Sequence, residues 1–192
     1  MASQSSTSDE IHAAYQEQAA GGALTREDLR QRILGTPPLL TDYRDLDVQL
    51  QPNGFDLTLG ALNEFRGRGS IAVDNTNRVL PDLEPLPFAG DGWADLAPGI
   101  YQVLFNEIVQ LPLDLMALGR PRSSLGRCGV TIHTAVWDAG YAGRSTALLS
   151  VLNPNGFRVQ RNARVLQLVF YTVTRPPKSG YDGIYQGENI NR

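Results

Sequence analysis

One cysteine, one lysine and two histidines are all that this chain of 192 residues holds of those types. A lone Cys128 excludes an internal disulfide and any cysteine metal cluster, and reads as a small packing residue. His12 has no visible partner, and His133 follows an expected strand as a packed polar residue; neither is given a catalytic role. With Lys178 the only lysine among 17 basic residues, anion binding falls to arginine. No apolar run approaches the roughly 20 residues of a membrane span. The N-terminus lacks the apolar stretch of a secretory signal, so a cytoplasmic protein without a membrane partner is expected. A net charge of −3 argues against a nucleic-acid partner, which calls for a basic surface.

What is present points to β structure. The composition is 42% hydrophobic with 19 glycines and 12 prolines, which suits many short elements joined by turns within one domain. Residues 1–23 are polar and small and read as a disordered tail, with a short helical stretch around Glu10 to Ala19. Thr25 then opens a helix, capped reciprocally with Asp28, with Leu24 and Leu29 at staple positions. Gly35 and Pro37-Pro38 stop it, and Leu29, Ile33 and Leu34 form the stripe that docks on a sheet. Strands are expected around Val48 to Leu59, interrupted at Pro52-Asn53-Gly54, and as a pair over Ile71 to Leu80 about the Asp74–Asn77 turn. Pro81 to Pro98 reads as a surface excursion. Further strands follow at Gly99 to Pro112, Leu115 to Leu118, Thr146 to Leu152 and Val165 to Val173, the last apolar enough to be buried on both faces. No helices alternate with these strands, so a parallel α/β sheet is disfavoured. The expected fold class is mainly β, an antiparallel jelly-roll-like barrel over residues 24–175 with a short N-terminal helix.

The stretch from Pro121 to Gly143 concentrates the chemistry. Arg122 and Arg127 are planar forks suited to phosphate oxygens, and Ser123 and Ser124 can donate to the same oxygens. Sixteen residues after Arg122 comes Asp138, before a turn built on Gly140. A cationic cradle followed by a carboxylate suits hydrolysis of a phosphate ester by activated water. The same residues would equally serve as a tight connection with its charges facing solvent.

R-S-S-L-G-R (Arg122 to Arg127) followed by D-A-G-Y (Asp138 to Tyr141) resembles the paired motifs of the dUTPase and dCTP deaminase superfamily. N-G-F-D-L-T-L-G (Asn53 to Gly60), R-V-L-Q-L (Arg164 to Leu168) and S-G-Y-D-G-I-Y-Q-G (Ser179 to Gly187) fall in the family's order. The resemblance spans Leu24 to Glu188 and implies the same barrel. It implies that Asp138 deprotonates the attacking water and that Tyr141 lies against the deoxyribose, excluding a 2′-hydroxyl. Backbone groups of the hairpin from Trp137 to Leu148 would read the uracil edge. Arg122, Ser123, Ser124 and Arg127 would bind phosphates, with Gln167 near the base or phosphates. Tyr181, Tyr185 and Gln186, in a flexible tail over residues 176–192, would close over the nucleotide. Mg²⁺ would be held through phosphates and water with no direct protein ligand, and a homotrimer would complete each site from neighbouring subunits. Asp56 is read as pinning a turn and Trp137 as core.

Within the superfamily, deaminases and bifunctional members carry a glutamate on the strand after the D-x-G-aromatic turn. Counting forward from Gly140 reaches Leu148, and counting back from Asn153 reaches Ser150. No glutamate occurs between Glu107 and Glu188. Ring deamination therefore lacks its proton-transfer group, and dUTP hydrolysis to dUMP and pyrophosphate is the expected activity. A dCTP deaminase or bifunctional enzyme with a substitute group, and a nucleotide-binding relative without catalysis, are the alternatives. The tail departs from deaminase-type members at Ile184, where they carry lysine, and at Glu188, where they carry glutamine.

Overall fold

The computed structural model describes residues 22–191. The polar N-terminal stretch to residue 21, with the expected helical turn and His12, lies outside them. From Gly22 the chain is already paired. Gly22 N donates to Thr172 Oγ1 at 3.0 Å, and Leu24 N donates to the Phe170 carbonyl at 2.9 Å.

Helix α1, Arg26–Leu34, forms as its caps dictate. The Thr25 hydroxyl accepts from Asp28 N while the Asp28 carboxylate accepts from Thr25 N, a reciprocal cap of about 1 kcal/mol. Leu29 and Ile33 are buried, but Leu34 is 61% exposed. Its one-residue step from Ile33 turns it off the core face. Strand β1, Leu40–Thr41, leads to a single turn α2, Leu46–Gln49. Val48, expected in a strand, lies in that turn, which Asp45 caps by accepting from the amides of Asp47 and Val48.

Strand β2, Leu50–Gln51, folds back on β3, Gly54–Arg66, the longest strand. Then come β4 (Asp82–Leu86), β5 (Trp93–Leu96), β6 (Gly99–Phe105), β7 (Ile108–Gln110) and β8 (Leu115–Pro121). After the short helix α3, Ser123–Arg127, follow β9 (Val130–His133), β10 (Val136–Trp137), β11 (Ala142–Gly143), β12 (Thr146–Val151), β13 (Phe157–Gln160) and β14 (Arg164–Thr172). The main sheet runs β10-β8-β14-β3-β6-β12-β9, every pairing antiparallel. Strands β8 and β9 stand near opposite ends of that order yet are joined by a short connection, residues 122–129, that contains α3. The sheet must therefore curl, which gives the expected jelly-roll-like barrel. Strand β3 makes the corner. Its first half pairs with β14 and its second with β6, with a register shift between Leu59 and Ala61. Phe55, Leu57, Leu59, Phe105, Leu166, Leu168 and Phe170 fill the core.

Four expected elements come out differently. Ile71 to Leu80 forms no strand pair, only a Ser70–Val79 bridge and a 3₁₀ turn capped by Asp74. Ile71, Val73, Val79 and Leu80 are exposed because no sheet face lies beneath them. Pro81 to Pro98 is strand-bearing: β4 pairs with β3 and β5 with β13. Pro85 is tolerated because β4 is an edge with a single neighbour. The run Gly99 to Pro112 breaks at Asn106-Glu107, so that β6 and β7 enter different sheets. In β14 only one face is fully buried, and Val169 and Tyr171 are half-buried.

The break after β6 has a polar cause. Glu107 is completely buried. Its Oε1 accepts from Gln49 Nε2 at 2.7 Å and Thr58 Oγ1 at 2.6 Å, and its Oε2 accepts from Thr58 N at 2.9 Å. The carboxylate thereby ties α2, β3 and β7 together at the corner of the barrel. Burial raises its pKa, partly opposed by these donors. The folded state therefore holds this proton more tightly than the unfolded chain. That contribution to stability is full below the unfolded pKa and is lost as pH rises through the folded one. Glu107→Ala should destabilise the fold by about 3 kcal/mol in urea denaturation, since it strands three buried donors. Glu107→Gln should be milder and should flatten this part of the pH profile.

Candidate active site

A cavity of about 480 Å³ opens where the turn after β10 meets the C-terminal segment. Its wall includes Asp138, Tyr141, Ser145, Thr146, Tyr181, Tyr185 and Glu188, with Phe65, Leu80 and Leu83 opposite. The turn is built by local chemistry. Tyr141 N donates to the Asp138 carbonyl at 3.1 Å, and Gly140 adopts φ +84°, which favours glycine. Leu111, just after β7, braces it: Gly140 N donates to Leu111 O at 3.1 Å and Leu111 N to Tyr141 O at 2.8 Å. Asp138 is exposed at the cavity wall. A carboxylate so placed is open to a water molecule.

Tyr141 is buried at 6% exposure. Tyr181 meets its ring edge-on, with centroids 5.8 Å apart. Burial pushes the Tyr141 hydroxyl well above the ordinary tyrosine range, with the nearby Glu188 carboxylate adding to the rise, so it stays protonated. Trp137 is core, as expected, and its indole N–H donates to Ser145 Oγ at 2.6 Å.

The segment after β14 is docked on this turn. Tyr181 N donates to Ala139 O at 2.8 Å, and Gly187 N to Ala142 O at 2.8 Å. Gln186 engages both ends of its amide on the turn, donating to Gly140 O and accepting from Ala142 N, each at 2.9 Å. Backbone meets backbone between Gly140 and Gly180: a Cβ on Gly140 would stand 2.6 Å from Gly180 Cα. Tyr185 is at the rim, its hydroxyl 3.4 Å from Arg78 Nη1.

The remaining expected residues gather elsewhere. Ser123, Ser124 and Arg127 are exposed on α3. Arg122 Nε lies 3.0 Å from Asp56 Oδ2, which also faces Arg164 Nη1 at 3.2 Å. Asp56 therefore pins two arginines rather than a turn. It is 1% exposed, and its Oδ1 has no partner among the described residues. Burial raises its pKa while the two guanidiniums pull it back down. Gln167 packs over Gly54, in register between Asp56 and Arg120. Trp137 opposes Ala117 on β8, so Asp138 falls opposite Met116. Arg122 lies six residues further along that line, about 20 Å away at ~3.3 Å per residue. Within one chain the carboxylate and the cationic cradle are separate. His133 is exposed rather than packed.

Sequence reasoning missed Ser145 as a site residue and saw Glu188 only as a departure from a tail pattern. A glutamate closing a stretch of glycines and aromatics was the available signal. Implied divalent-metal binding fits the donor set in one sense only. Among the described residues no group of three or more His, Cys, Asp or Glu is placed to cage a metal ion. The exposed Asp138 carboxylate at the cavity wall suits a hydrated ion carried by phosphates.

The family described as dCTP deaminase-like matches residues 23–173. A probable deoxyuridine 5′-triphosphate nucleotidohydrolase of Methanosarcina mazei is 51% identical over 168 residues, covering 88% of this chain and 98% of the relative. Its counterpart in Archaeoglobus fulgidus is 46% identical, with the same coverage of 88% and 98%. The crystal structure of 2′-deoxycytidine 5′-triphosphate deaminase from Agrobacterium tumefaciens superposes with a TM-score of 0.61 at 28% identity. That match covers 80% of this chain and about half, 48%, of the deaminase chain.

Gly140→Ala tests the docking. A side chain there is strained by φ +84° and collides with Gly180. The tail should loosen by at least about 1–2 kcal/mol, read as faster hydrogen exchange at the Tyr181 amide.

Proposed function

The chain belongs to the dCTP deaminase-like family, and we propose that within it the protein is a dUTP diphosphatase, converting dUTP and water to dUMP and pyrophosphate. The observation that carries this reading is on β12. Thr146 lines the cavity, Leu148 shares its face of the strand, and Ser150 is buried. No acid–base group stands where the deaminase-type members carry glutamate. Glu188 reaches the cavity from the tail, but its Oε1 already accepts the Tyr141 hydroxyl at 2.8 Å. The relatives named as probable dUTP nucleotidohydrolases support the same choice.

In this reading Asp138 takes the proton of the water that attacks the triphosphate. Its exposure at the wall leaves room for that water beside a bound nucleotide. The Tyr141 ring packs against C2′ and C3′ of the sugar, and backbone groups of the Trp137 to Leu148 hairpin read the uracil. Arg122, Ser123, Ser124 and Arg127 hold phosphates, with Gln167 beside them, and Tyr181 and Tyr185 close the mouth. Gln186 fixes the turn. Mg²⁺ rides on the phosphates and supplies charge neutralisation there. We read the enzyme as cytoplasmic.

The ~20 Å between Asp138 and Arg122 supports a shared site. One triphosphate meets both only if the cradle comes from a neighbouring subunit, and closed cyclic symmetry supplies every subunit with such a neighbour. We therefore read the protein as a homotrimer. The exposed apolar residues Ile71, Val73, Val79 and Leu80 are available for subunit contact.

With Mg²⁺, the purified protein should release pyrophosphate from dUTP and no ammonia from dCTP; stoichiometric ammonia would overturn the assignment. Asp138→Asn should keep the fold and nucleotide binding while losing roughly 10²–10⁴-fold in turnover. Light scattering should give a trimer, and truncation after Thr174 should preserve it while sharply lowering turnover. An active monomer would defeat the shared-site reading.

A further inference from the structure

Beyond the family's motifs, one carboxylate in the cavity has a defined and unassigned task. Four polar groups form a line under the sugar-facing wall. Trp137 Nε1 donates to Ser145 Oγ at 2.6 Å, Ser145 Oγ stands 2.9 Å from the Tyr141 hydroxyl, and that hydroxyl donates to Glu188 Oε1 at 2.8 Å. With Glu188 ionised, the donors and acceptors admit one consistent direction. Trp137 can only donate, and an ionised carboxylate can only accept. Ser145 therefore donates to Tyr141, and Tyr141 donates to Glu188. A chain of donors that ends on a carboxylate orients every group in it, and its last bond is charge-assisted.

The surrounding backbone is shaped for this pair. A Cβ at Gly143 would stand 2.5 Å from the Tyr141 hydroxyl and 3.1 Å from Glu188 Cγ, so the Tyr141–Glu188 pair lies directly over Gly143. Glu188 is itself held by its main chain. Arg144 N donates to Glu188 O at 2.9 Å, Gly187 N donates to Ala142 O at 2.8 Å, and Asn189 Nδ2 donates to Arg144 O at 3.1 Å. Its carboxylate arrives at Tyr141 only when residues 186–189 lie along residues 142–144.

We propose that Glu188 is a positioning residue that latches the C-terminal segment to Tyr141 and fixes the tyrosine ring as the gate against a 2′-hydroxyl. Tail docking and sugar discrimination then become one event. With the latch made, the ring cannot swing aside to admit a ribose; with it broken, Tyr141 keeps its place in the wall but gains freedom to move. The proposal rests on the reading of Tyr141 as the sugar-facing residue of a dUTP diphosphatase. It explains why a carboxylate can be tolerated in a cavity that receives an anionic substrate. The charge is at the sugar end, satisfied by the tyrosine, and away from the phosphates.

The test compares kcat/KM for dUTP and UTP in wild type, Glu188→Ala, Glu188→Gln, Tyr141→Phe and the Glu188→Ala/Tyr141→Phe double variant. Loss of one charge-assisted hydrogen bond should narrow the dUTP preference by about 10-fold in Glu188→Ala and in Tyr141→Phe. The double variant should be no worse than either single one, because both remove the same bond. Glu188→Gln, whose amide oxygen still accepts, should restore most of the preference, which a merely structural defect would not allow. An unchanged preference in Glu188→Ala overturns the proposal. A second arm uses no nucleotide: hydrogen exchange at the Gly187 and Arg144 amides should accelerate in Glu188→Ala and recover in Glu188→Gln. Were wild type inert toward dUTP, the proposed function would fall. The exchange arm would still decide the latch, unchanged protection in Glu188→Ala counting against it.

Discussion

Two glycines with no room for a side chain between them, Gly140 and Gly180, hold the Asp138–Tyr141 turn to the C-terminal segment. The turn that carries Asp138 and Tyr141 has little apolar burial of its own beyond the tyrosine ring. It is kept in shape by main-chain hydrogen bonds from two directions, Leu111 behind it and Tyr181, Gln186 and Gly187 in front. Direct backbone contact makes this bracing stiff, because a peptide group has no rotamers to lose. The site is thus a loop in name, yet its geometry is set as firmly as a strand's.

The barrel serves that turn at a distance. Glu107 ends β6 and starts β7, and β7 in turn pairs with β11 and, through Leu111, supports Gly140. A buried carboxylate at one corner therefore fixes the element that braces the Asp138 turn. Asp56 does comparable work for the cationic cradle, gathering Arg122, just after β8, and Arg164 of β14 around one buried oxygen. Acidic residues in this chain organise the scaffold at least as much as they serve chemistry. Of Asp56, Glu107, Asp138 and Glu188, only Asp138 is exposed at the cavity wall without a structural partner assigned to it.

The separation of Asp138 from Arg122 along β8 and β10 shapes how the family's motifs have to be read. Motifs adjacent in sequence order are far apart in one subunit, and proximity of R-S-S-L-G-R to D-A-G-Y along the chain is misleading as geometry. Antiparallel pairing carries the chain away from α3 through β9 before β10 brings it back beside the far half of β8.

Much was legible from residues alone. The Thr25–Asp28 cap, the core strands β3, β6, β12 and β14, the antiparallel barrel and the family follow from local rules: cap chemistry, period-two patterning and ordered motifs. The absence of a glutamate on β12 is likewise a property of the sequence. Tertiary structure decided what depends on a partner. Ile71 to Leu80 alternates like a strand but finds no sheet to cover it, whereas the proline-rich run after it finds β3 and β13. Leu34 has a core residue's chemistry and a surface residue's angle. Asp56 belongs to two arginines that lie 66 and 108 residues further along the chain, and Glu188 meets Tyr141 across a span of 47 residues. Local propensity acts through bonds along the chain, but pairing, burial and hydrogen-bond partnership act through space, and only the fold brings those distant groups within reach.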